Sequence, residues 1–129
     1  MAKKLTITDL IAQKERLKQK KKRTQTLYVE SLDAEVVIQE PASSIADEAI
    51  EMTQDPQKSD MADVHMVYHT MIEPNLKDAE LQKAYGCVEP TDIVRMLFRS
   101  GEITTISGFA LQLAGYGSGV KKVDDDLKN

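Results

Sequence analysis

Apolar residues recur along the chain with two different periods, and the change from one to the other divides the sequence. Residues 26–40, TLYVESLDAEVVIQE, alternate and are rich in β-branched side chains. Leu27, Val29, Val36 and Ile38 therefore fall on one face, with Ser31–Ala34 as the turn. This predicts one β-hairpin. A lone hairpin is marginal in water, so it has to lie on helices or pair with another chain through its edge.

On both sides of the hairpin the period is helical. Upstream, Thr6 or Thr8 caps a helix with Leu10, Ile11 and Leu17 on one face, and the KQKKKR run at 18–23 covers its far end, where cations suit a helix C-terminus. Downstream, Pro41 ends the strand and opens a helix capped by Ser43 or Ser44, with Ile45, Ala49 and Met52 on one side. TQDPQKS, residues 53–59, is a polar break around Pro56. Ser59 or Asp60 then caps a longer helix in which Met61, Val64, Tyr68, Met71 and Ile72 recur at helical spacing until Pro74 stops it. Asn75 or Asp78 starts a short helix ending at Tyr85 and Gly86. Pro90 leads into the final pair. Asp92–Arg99 carries Ile93, Val94, Met96, Leu97 and Phe98 and is closed by a left-handed Gly101; Ile103, Ile106, Ala110 and Leu113 form the next stripe, closed by Gly115.

The expected fold class is thus α+β and predominantly α-helical: a basic N-terminal helix, one β-hairpin, then about five helices ending in an αα-hairpin. Expected boundaries are a basic helix or arm at 1–23, a single α+β domain at 24–117 and a flexible tail at 118–129.

Charge sharpens the division. Residues 1–23 hold nine Lys/Arg against Asp9 and Glu15, a net of +7, which leaves −11 for residues 24–129 within an overall −4. No apolar run approaches the roughly 18 residues of a membrane span, and the N-terminus lacks the apolar stretch and small-residue cleavage site of a signal peptide, so a cytoplasmic location is expected. The single cysteine, Cys87, excludes an internal disulfide framework and a cysteine-based zinc site, and reads as a small packed side chain after the turn at Gly86.

Candidate chemistry is sparse. The glycines of FRSGEITTISGFALQLAGYGSG follow a helical segment rather than leaving a strand to open a helix, the reverse of a phosphate-cradling loop, and no GxxxxGK[ST] pattern occurs. HMVYH sets His65 and His69 four apart on one helical face with Glu73 further along, a spacing that suits metal ligands. The glutamate of an HExxH motif is missing, however, and Tyr68 and Met71 mark a packed face, so both histidines read as structural or solvated. Paired carboxylates (Asp47 with Glu48, Asp60 with Asp63, Asp124–Asp126) lack apolar flanks that would raise one pKa, and no GxSxG elbow is present. No catalytic, cofactor-binding or metal-binding residue is assigned, and no protein-binding residue is singled out; the expectation is a non-enzyme without cofactor. The rival function is a small DNA-binding regulator in which residues 91–114 form a helix-turn-helix and KQKKKR grips phosphates. Against it, EITTISGFALQLAG offers no Arg or Lys for guanine, the basic run has no interleaved aromatic, and the acidic body repels phosphate.

The order LYVESLDAEVVIQE, YHTMIEPNLKDAELQKAYG, EPTDIVRMLFRSGEITTISGFALQLAGYG resembles the tail assembly chaperones (XkdN-like) of contractile-tailed phages and related prophages, over roughly residues 26–117. EPNLKDAELQKAYG and LFRSGEI are the most specific parts. The resemblance implies a chaperone that coats the tape measure protein before the tail tube polymerises, with the tape measure protein and the tail tube protein as partners, no catalysis and no membrane. Exposed strand edges and apolar faces add the expectation of a homo-oligomer.

Overall fold

Alternation in residues 24–39 becomes two antiparallel strands, β1 (Thr24–Val29) and β2 (Ala34–Gln39), in a register that pairs Leu27 with Val36 and Val29 with Ala34. In this computed structural model, which describes residues 3–123, the hairpin turn is a 3-10 segment, Glu30–Leu32, followed by Asp33 in the left-handed region at φ 47°. Aspartate tolerates that conformation, and its carboxylate accepts a 2.7 Å hydrogen bond from the Tyr28 hydroxyl. Val29, Val36 and Ile38 are buried, Leu27 packs against them, and Thr24, Thr26, Tyr28 and Glu35 are exposed, so one face of the sheet is dry.

A third strand, β3 (Met71–Glu73), adds antiparallel to the other side of β2, with an irregularity in register at Val37/Ile38. This corrects the expected long helix up to Pro74. Helical spacing of Met71 and Ile72 is also compatible with a strand, and the residue before a proline is driven toward extended backbone, so the chain straightens at Met71. The helix before it, α4 (Ala62–Thr70), buries Val64, Met66, Val67 and Thr70 rather than Tyr68; the Thr70 hydroxyl is satisfied by the Met66 carbonyl at 2.7 Å.

Among the described residues five α-helices follow the hairpin: α3 (Ser43–Thr53), α4, α5 (Ala79–Ala84), α6 (Asp92–Leu97) and α7 (Ser100–Leu113). The predominantly helical α+β class and the helix order stand as expected. α4 is the central helix, packed between α3 and α7, while α7 also reaches β1 and β2. Three local details differ from expectation. α3 starts at an Ala42 cap with no side-chain bond, so neither Ser43 nor Ser44 caps it. Phe98, extended at ψ 150°, ends α6, and Gly101 lies inside α7 instead of closing α6. The N-terminal helix is two short ones, α1 (Ile7–Ala12), capped by reciprocal Thr6–Asp9 bonds, and α2 (Lys14–Lys18); neither has a buried residue. Asp78 does cap α5, and Gly86 and Gly115 take positive φ as the helix stops. The Asp124–Asp126 run lies outside the described residues.

The loop between β3 and α5 is part of the core. Leu76 is fully buried in it, and the Gln82 side-chain amide donates to the Leu76 carbonyl at 2.9 Å and to the Pro90 carbonyl at 3.3 Å, tying two connections to one helix. α7, by contrast, has slack. Gly108 sits in its interior with open space where a Cβ would go. Gly108→Ala is therefore expected to stabilise the protein by about 0.5–1 kcal/mol, the helix-propensity difference, with urea melts as the check.

Candidate protein-binding groove

Between β1 and α7 lies an open groove of about 470 Å³. Leu27 and Val29 come from the strand; Ile106 and Phe109 come from the helix, one turn apart on the side of α7 that faces β1. Phe109 lies beside the buried stripe and is 42% exposed, which leaves much of a phenyl ring open to water. Glu30 and Glu102 also line it, with Thr26, Tyr28 and Thr105, and among the described residues no basic side chain does, so the groove joins an apolar strip to an acidic margin.

Glu102 holds that margin together. Its carboxylate accepts the Arg99 backbone N–H at 2.8 Å, satisfying a free donor at the start of α7. That bond first, and the Ser31 hydroxyl of the hairpin turn second, hold its pKa below the ordinary 4.5. A carboxyl lowered by folding adds stability above its unfolded pKa, and the contribution is lost as pH falls through the folded one. Glu102→Gln is thus expected to be less stable than the parent at about pH 7 and to converge with it as the pH falls below the lowered pKa of Glu102, read by urea unfolding at neutral and acid pH.

The histidines stand elsewhere. His65 and His69 stack edge to face, ring centroids 4.6 Å apart, and His65 Nε2 lies 2.9 Å from Glu48 Oε2 on α3, close but off the hydrogen-bond line. Partial burial, then His65 and Lys77, push the His69 pKa below 6.5. Glu73 is carried off onto β3, and among the described residues no group of three or more His, Cys, Asp and Glu side chains is placed to hold a metal ion. Cys87 is half-buried against the core, its sulfur 3.9 Å from Met96 Sδ. For the helix-turn-helix reading, α7 would be the reading helix. Its buried stripe is Ile103, Ile106, Ser107 and Ala110, and residues 100–113 contain neither Arg nor Lys.

The groove leaves no local signal in the sequence because its two walls lie more than seventy positions apart in the chain. Only the misplaced Phe109, between Gly108 and Ala110 on an otherwise small-residue turn, could have hinted at it.

Residues 7–128 match the family model described as phage XkdN-like tail assembly chaperone protein. The chain belongs to that family. Searches of curated proteins and of solved structures gave no significant match. A tail assembly chaperone has an assembly role, and among the described residues no helix is long and apolar enough to cross a membrane. For such a chaperone, an open apolar groove is a more informative feature than any titratable cluster.

Proposed function

We propose that this tail assembly chaperone, acting in the host bacterial cytoplasm as a homo-oligomer, covers apolar helices of the tape measure protein until tail tube subunits arrive. The role is non-enzymatic and uses no cofactor. One observation carries the reading: an open groove between β1 and α7, with Leu27 and Ile106 in its lining and the exposed Phe109 beside them, offers apolar surface to the hydrophobic side chains of a client helix. The acidic rim at Glu30 and Glu102 favours a client helix flanked by Lys or Arg.

Co-expression with the tape measure protein tests it. The expected result is a tape measure that is soluble only with the chaperone and co-purifies with it. A tape measure that stays soluble alone and never co-purifies removes the reading.

A further inference from the structure

The two edges of the three-stranded sheet are not equally protected. β3 is three residues long and runs into Pro74, which has no N–H to offer a neighbour. β1 is six residues long, with no proline and no bulge against β2. The Glu40 N–H donates to the Arg23 carbonyl at 2.7 Å, which fixes the phase of the β1–β2 ladder. With period two, Gln25, Leu27 and Val29 turn their backbone groups to β2, and Thr24, Thr26 and Tyr28 turn theirs outward. Those three residues are exposed, Tyr28 by 58%, and one outward carbonyl, that of Thr26, is met only by the side-chain amide of its neighbour Gln25 at 3.1 Å.

The charge along this edge has a direction. Lys20, Lys21, Lys22 and Arg23 precede the strand, and Glu30 follows it at the start of the 3-10 turn, with Glu102 in the same groove lining. A strand that runs from basic to acidic is complementary to its own copy in antiparallel orientation.

We propose that β1 is a self-association edge, on which a second copy of this chain pairs antiparallel about a two-fold axis at Thr26. In that register Thr26 faces Thr26 of the second copy, Thr24 faces Tyr28, and Lys22 faces Glu30, the last two pairs occurring twice by symmetry. All three outward residues of each strand gain backbone partners, and the two sheets become one of six strands. Tyr28 packs on a β-branched threonine, a favourable cross-strand pair. This inference rests on the self-association in the function proposed above, and is independent of what the client is.

Sedimentation of the full chain over a concentration series should show a reversible dimer. Lys22→Glu alone, or Glu30→Lys alone, should weaken dimerisation about tenfold, because two attractions become two repulsions, and the double exchange should recover the parent affinity to within about threefold. Lys22 belongs to a segment with no buried side chain, so that variant is folded even if Glu30→Lys is not. Thr26→Cys in a Cys87→Ser background should form an intermolecular disulfide under mild oxidation, since directly opposed, hydrogen-bonded residues sit about 5.5 Å apart at Cα. Gln57→Cys in the exposed polar loop should not. A dimer that ignores both charge variants and gives no Thr26 cross-link uses another surface, which overturns the proposal but leaves self-association intact. A monomer at every concentration overturns both, and neither result touches client capture, which the co-expression assay reads separately.

Discussion

Leu76→Ala is expected to destabilise the protein by about 3 kcal/mol, inside the 2–5 kcal/mol span of large-to-small core substitutions. The figure is at first sight high for a loop residue, since connecting segments ordinarily run over the surface. Here the side chain is fully excluded from solvent and belongs to the same cluster as Ile38, Met66, Ile93 and Val94. The backbone around it has little freedom to collapse into the space left behind, because the Gln82 amide holds the Leu76 carbonyl and the Asp78 carboxylate caps α5 two residues later. A rigid wall leaves a cavity, and cavity volume is what separates the costly truncations from the cheap ones. For a domain of this size the loss corresponds to a fall in Tm of roughly 10 °C or more. Ile7→Ala, on an arm with no buried residue, is the contrast and should stay within about 0.5 kcal/mol. Urea melts of the two variants decide it: a Leu76→Ala loss no larger than that of Ile7→Ala would mean the loop does not close the core.

Leu76 also shows where reading the sequence stops. Periodicity identified the hairpin face at Leu27, Val29, Val36 and Ile38, and the α7 stripe at Ile103, Ile106 and Ala110, because each is a local repeat whose burial follows from its own spacing. Gly115 and Asp78 were legible for a similar reason: a left-handed stop and a capping carboxylate act within one turn. A single leucine between Asn75 and Lys77 has no period to announce it. β3 was missed because its partner is β2, more than thirty positions upstream, and two apolar residues at the end of a helix pattern look the same whether the chain coils or extends. Pro74 was the available signal, since it biases Glu73 away from helix. Gly101 suggests a helix stop by its residue type alone, whereas the decisive feature is Glu102, which reaches back to the Arg99 N–H and starts α7 before the glycine. The groove is further from sequence again. It is an opening between β1 and α7, and a gap between elements distant in the chain leaves no mark on either.

Phe109→Asp is expected to weaken capture of the tape measure protein at least about thirtyfold, the equivalent of roughly 2 kcal/mol at an aromatic anchor, while leaving the fold intact. The two halves of that statement rest on the same fact. With 42% of Phe109 open to solvent and its ring on the groove wall opposite β1, rather more than half of the residue is already buried in the free chaperone, so the substitution should cost the fold about 1–2 kcal/mol without unfolding it. A bound apolar helix would cover the ring completely and obtain the remaining burial, so the loss falls on binding. A carboxylate at that position also stands in the groove that already carries Glu30 and Glu102 on its rim, where a third negative charge would have to be desolvated against the client without a partner. Tyr85→Asp is the matched control: Tyr85 is comparably exposed at 47% but lies outside the groove, at the end of α5, so it should change capture by no more than about threefold. Pull-down from co-expressing cells, with circular dichroism of each purified variant, gives both readouts. If Phe109→Asp is folded and still holds the tape measure protein as well as Tyr85→Asp does, the client lies on a different surface, and the exposed Leu5, Ile7, Leu10 and Ile11 of the basic arm become the apolar face to test next.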